Sequence, residues 1–144
     1  PVSGGEPGFG VLTVAGGAIT VAIAPGELID KITILAIKLE RIDEPAKLEN
    51  IRREMEILTQ TSAEGLPQSE QLDTLTQELK DVNERLWQIE DDIRACEAAG
   101  DFGPRFIELA RAVYNNNDQR ARAKRAVNLL LGSHIIEEKS YQSY

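Results

Sequence analysis

Eight apolar positions, Leu72, Leu75, Leu79, Val82, Leu86, Ile89, Ile93 and Cys96, follow one another at alternating steps of three and four residues without a break. That spacing keeps side chains on one side of an α-helix and calls for a partner along the same line. It predicts a helix of about 27 residues, about 40 Å long at about 1.5 Å per residue. Gly100 stops it, and Asp101 is placed to cap the next helix.

Shorter seams surround this one. Leu28, Ile32, Leu35, Leu39 and Ile42 step by four and three after Pro25-Gly26. Leu48, Ile51, Met55 and Leu58 then form either a second helix, with Asp43 as cap, or the first one continued past a kink at Pro45. Residues 61–69 read as a turn. A last helix starts near Pro104. Its stripe runs through Phe106, Leu109 and Val113, meets Asn117, Arg120 and Lys124, and becomes apolar again at Val127 and Leu131. Either this helix breaks at Asn115-Asn116-Asn117, or it is continuous with polar groups turned inward. Gly132 ends it.

Ahead of the helices, Gly16-Gly17 suits a two-residue hairpin turn. One register puts Leu12, Val14, Ile19, Val21 and Ile23 on a single face. The expected fold is mainly α: an antiparallel helical hairpin or bundle with a small N-terminal β-hairpin. Its parts are a flexible lead-in over residues 1–8, a β-ribbon over 9–24, a helical bundle over 25–132 and a tail over 133–144, in one domain overall.

The net charge of −8 argues against a general nucleic-acid binder and against an anionic membrane surface. No apolar run is long enough to span a bilayer. A single cysteine forbids an internal disulfide and fits a reducing, cytoplasmic setting. With one Cys and one His134, a Cys/His zinc site within the chain is implausible. No phosphate-binding loop, dinucleotide fingerprint or nucleophile elbow occurs.

Charge is unevenly spread. Residues 64–101 hold eleven acidic residues against Lys80, Arg85 and Arg94, whereas residues 105–125 hold six basic residues against Glu108 and Asp118. Two antiparallel neighbours of complementary charge would explain this, and so would an anion site on the last helix. Asn83, Trp87, Glu90 and Arg94 form a stripe beside the long seam, either widening the buried face or lining a pocket. Arg111, Tyr114, Asp118 and Arg122 form another, next to Asn117, Arg120, Lys124 and Asn128. Inward cations need partners, supplied by Glu90 and its neighbours or by a bound anion. The candidate anion-binding set is therefore Trp87, Arg111, Tyr114, Asn117, Arg120 and Lys124. Glu27 and Asp30 could hold a magnesium ion, but acids in a first turn more commonly balance the helix dipole, and no metal site is assigned.

Several blocks occur in order: residues 26–35 (GELIDKITIL), 86–94 (LWQIEDDIR), 106–114 (FIELARAVY) with Asn117-Asp118, and 137–141 (EEKSY). Together they resemble an uncharacterised family of short bacterial helical proteins, a domain of unknown function. The resemblance covers about residues 19–144. It supplies no catalytic residues, and implies only that these polar blocks are the family's recognisable parts. The family opens with one short strand, whereas residues 1–17 here add a Gly-rich segment and an extra strand.

The expected function is a non-catalytic binding or self-assembly module without cofactor. The alternative is a small enzyme or binder of an anionic metabolite, a sugar phosphate or nucleotide, such as an all-α nucleotide pyrophosphohydrolase. That enzyme needs carboxylates clustered from two helices, and no second E-x-x-D or E-x-x-E pair appears on the last helix. Expected partners are a second copy, as a dimer, and an anionic small molecule, with neither nucleic acid nor membrane.

Overall fold

The computed structural model describes residues 17–144. Four helices follow in order: α1 (Pro25–Arg41), α2 (Pro45–Gly65), α3 (Glu70–Ala99) and α4 (Pro104–Leu130). The chain is mainly helical. The first strand of the β-ribbon expected over residues 9–24, and Gly16 of its turn, lie outside the described residues.

The long seam becomes α3, 30 residues from the Ser69 cap to Gly100. Ser69 Oγ accepts the Leu72 N–H, and Gly100 closes the helix at φ 66°, a conformation that suits glycine. After a short connection α4 runs back along α3, the most extensive helix contact among the described residues. Arg85 donates to Asn116 and Gln119, and Arg105 pairs with Asp92, which fixes the antiparallel register.

α4 is unbroken, so the three asparagines do not interrupt it. Pro45 opens a separate helix rather than kinking the first. Three expected boundaries are corrected. The cap position of α2 is Glu44, not Asp43, and no side chain caps it. Residues 61–65 continue α2, so the turn is confined to 66–69. Gly103 occupies the cap position of α4, while Asp101 takes the Gly103 N–H instead.

α1 is the hub. It packs against the other three helices, while among the helices α2 packs on α1 alone. This explains why the α1 heptad is only part of its buried surface: Leu28 and Leu35 of the seam are buried, but so are residues outside it. A helix with three neighbours has no single buried stripe: Ile29, Asp30, Thr33 and Ile37 are buried, whereas Ile32, Leu39 and Ile42 are half-buried. Burial along α3 is also uneven. Leu72, Leu79 and Val82 are buried, but Leu86, Ile89, Ile93 and Cys96 are only half-buried, because that end of the helix is covered less completely. The core joins Ile29 of α1, Leu72 and Leu79 of α3, and Ala123 and Val127 of α4.

Candidate functional site

Asp30 is fully buried, one turn into α1. Both arms of Arg120, on α4, grip its carboxylate; Nε donates to Oδ1 at 2.9 Å and an Nη donates to Oδ2. Asn83 of α3 donates its amide to the same Oδ1 at 2.9 Å and to Thr33 Oγ1 at 3.0 Å. Thr33 in turn donates to the Asp30 carbonyl. One carboxylate therefore ties three helices together, and every bond to it is charge-assisted. The Asp30 bond raises the Arg120 guanidinium above its ordinary value against the opposing effect of burial.

One turn further along α4, Lys124 reaches Glu27 at 2.6 Å and Glu137 of the tail at 3.1 Å. Burial alone would lower the Lys124 ammonium, but its bonds to Glu27 and Glu137 outweigh this and raise it. A turn beyond, Asn128 Oδ1 accepts the Gly26 N–H at 2.7 Å. The N-terminus of α1 has Ala24 at its cap position with no capping side chain, so α4 supplies the acceptor instead. The approach is close: a Cβ on Gly26 would lie 2.3 Å from the Lys124 carbonyl oxygen.

The inward cations of α4 are thus neutralised by α1 and the tail. Neither Glu90 nor its neighbours on α3 do this, which corrects the first of the two alternatives the sequence left open. α3 and α4 are antiparallel neighbours, yet their complementary charge is expressed in one ion pair between them, Arg105 with Asp92, among the described residues. The Glu27 and Asp30 carboxylates, the pair the sequence offered for a metal, are both engaged by cations: Glu27 by Lys124 and Lys31, Asp30 by Arg120.

Two hollows flank this network. A groove of about 440 Å³ between α1, α3 and α4 has Ile34, Leu86 and Trp87 among its walls, with Glu90, Asp91, Asn117 and Arg120 also bordering it. A larger cleft of about 960 Å³ lies between α4 and the tail. Tyr114, Asn117, Asp118 and Arg122 line it from α4; Lys139, Tyr141 and Tyr144 line it from the tail. Val113 and Asn117 border both.

The tail is pinned at two places. Glu137 and Glu138 pair with Lys124 and Arg125. Tyr144 donates its hydroxyl to Asp118 at 2.6 Å and meets the Tyr114 ring edge-on, with centroids 5.0 Å apart. That hydrogen bond raises the Tyr144 phenol above its ordinary value. From Tyr114 to Arg125, α4 covers about 16 Å at about 1.5 Å per residue. Glu138 to Tyr144 reaches about 20 Å when extended at about 3.3 Å per residue. The tail is therefore longer than the span between its anchors, which leaves room for a hollow beneath it.

The six residues singled out in the sequence do not all line one hollow. Trp87 and Arg120 border the groove, Tyr114 the cleft, and Asn117 both. Lys124 is committed to its two carboxylates, and Arg111 is exposed and borders neither hollow. Arg122 and Asp118 belong to the stripe read from sequence. Thr33, Lys139, Tyr141 and Tyr144 were missed as site residues; the two anionic residues of the tail opposite a basic helix were the one available signal for its docking.

Compared with known protein families, residues 19–144 match a family described as a family of unknown function (DUF6165). The chain belongs to this family. The matched span contains every block quoted from the sequence, and with it all four helices, both hollows and the tail. No curated protein and no solved structure matches the chain.

Proposed function

We propose that the protein is a non-catalytic binding module that holds a small anionic metabolite, a phosphate carried on a sugar or a nucleotide, in the cleft between α4 and the tail. The observation behind this is the contrast among cations. Arg120, Lys124 and Arg125 each have a carboxylate partner, whereas Arg122 and Lys139 line the cleft with none within ion-pair distance among the described residues. Two such cations beside tyrosine rings suit an anion attached to a flat or ring-shaped body. The single carboxylate in the cleft wall, Asp118, is engaged by the Tyr144 hydroxyl. Asp30, the buried carboxylate, is held by Arg120 and Asn83.

Thermal melting with inorganic phosphate, a hexose phosphate and a nucleoside monophosphate tests this. At least one should raise the melting temperature of the wild type, and Arg122→Gln with Lys139→Gln should abolish the rise. If none of the three shifts melting, or the shift survives both substitutions, the cleft is not an anion site.

Self-association is a second reading, favoured by α2. That helix packs on α1 alone, Ile57 is 56% exposed, and an apolar hollow bordered by Leu39, Met55 and Ala63 lies between the two helices. A dimer is the simplest arrangement that covers such a face. The segment ahead of α1 belongs to the same reading, since Ile19 and Val21 are exposed and a second copy would cover them. A cytoplasmic setting accords with the free thiol of Cys96. Sedimentation that finds only the 15.9 kDa species at micromolar concentration overturns the dimer.

A further inference from the structure

We infer that the groove over Trp87 is a second ligand site, and that its ligand is an aliphatic amine of the polyamine type. The walls supply two kinds of chemistry. Ile34, Ile37, Leu86 and Val113 with the Trp87 indole give an apolar channel for methylene groups. Glu90 and Asp91 stand at its border as carboxylates.

The charges around the groove do not cancel. Arg120 is the one cation among the lining residues, and it is paired with the buried Asp30, so the two together contribute no net charge. Glu90 has Arg94 as its partner, a side chain on the same helix that is 76% exposed and weakly held. Asp91 has no cation within ion-pair distance among the described residues.

The neutral polar groups point to a donor as well. The Asn83 amide nitrogen is used by Asp30 and Thr33, and its amide oxygen takes no bond among the described residues. An ammonium group brings three donors and a positive charge. It satisfies the carboxylates, is attracted to an indole face, and carries an alkyl chain that the apolar walls cover. At about 440 Å³ the groove falls within the size range of small-molecule sites. This site lies on the other side of Val113 and Asn117 from the cleft, so it does not depend on the anion reading.

Trp87 is the chain's single tryptophan, and its fluorescence reports on this groove alone. The experiment titrates the full chain with spermidine at constant ionic strength and follows indole emission, with sodium chloride as the matched control. A saturable change with spermidine and none with sodium chloride is expected. Asp91→Asn should raise the half-saturating concentration about tenfold, the loss of one charge-assisted bond, and Arg122→Gln should leave it unchanged. Asp91 is exposed, and a melting curve confirms that its variant folds. The inference is overturned if emission follows ionic strength only, if Asp91→Asn binds as the wild type does, or if the change accompanies a doubling of mass in sedimentation, which would mean that a second copy occupies the groove.

Discussion

Asp30 and Arg120 stand 90 residues apart in the chain, yet the guanidinium supplies two of the hydrogen bonds that the buried carboxylate accepts. The pair joins the hub helix to the last helix, and its geometry decides what α4 has available for a ligand. Arg120→Met would leave a buried charge with only Asn83 to hold it. Breaking such a pair costs about 3–5 kcal/mol; the low end applies, because Arg120 is 30% exposed. Chemical unfolding measures this. A companion Asp30→Leu/Arg120→Met double variant should recover most of the loss, since an apolar pair needs no partner charges.

Gly26→Ala tests the close approach of α1 to α4. The added methyl would meet the Lys124 carbonyl oxygen at 2.3 Å and Asn128 Oδ1 at 2.9 Å. Backbone cannot yield cheaply, so α1 must move and lose the Asn128 cap. A loss of about 1–3 kcal/mol is expected from overpacking, although alanine is the better helix former. Unfolding no easier than wild type would show that the helix ends separate freely.

Two leucines of the same seam should behave differently. Leu79 is completely buried in the core between α1, α3 and α4, and Leu79→Ala should cost about 2–5 kcal/mol through the cavity it leaves. Leu86 is a half-buried wall of the Trp87 groove, so Leu86→Ala should cost under about 2 kcal/mol. Equal losses in urea would mean that the seam is buried uniformly.

The pH dependence of Lys124 has a definite sign. Its ammonium is raised by Glu27 and Glu137 against the effect of burial. The resulting stability is fully present below the unfolded lysine value of about 10.4 and is lost as pH rises through the folded value. The stability difference between wild type and Lys124→Met should therefore shrink above about pH 10.4. Lys80 is raised as well, by its bond to Glu40, so the comparison must be made between these two proteins rather than on one curve. A difference that stays constant into strong alkali would mean that Lys124 carries no such linkage.

The seam from Leu72 to Cys96, the Pro104 start and the Gly100 stop are local. Period, cap and breaker act within a few residues, and so the sequence by itself determined that α3 exists and where α3 and α4 begin, but left open whether α4 runs unbroken through Asn115-Asn116-Asn117. It also determined that Asn117, Arg120 and Lys124 interrupt an apolar stripe. It did not determine their partners. Asp30 looked like a first-turn acid balancing a dipole, because nothing within a few residues of it shows that α1 has helices on three sides. Once α1 is the hub, the side of it that carries Asp30 is inward, and that carboxylate must find a cation from a distant helix. The tail followed the same logic: Glu137 and Glu138 were legible as charges, but only the packed chain placed them on Lys124 and Arg125. Long-range pairing depends on which faces meet. Helical periodicity names the faces, and tertiary packing alone chooses between them.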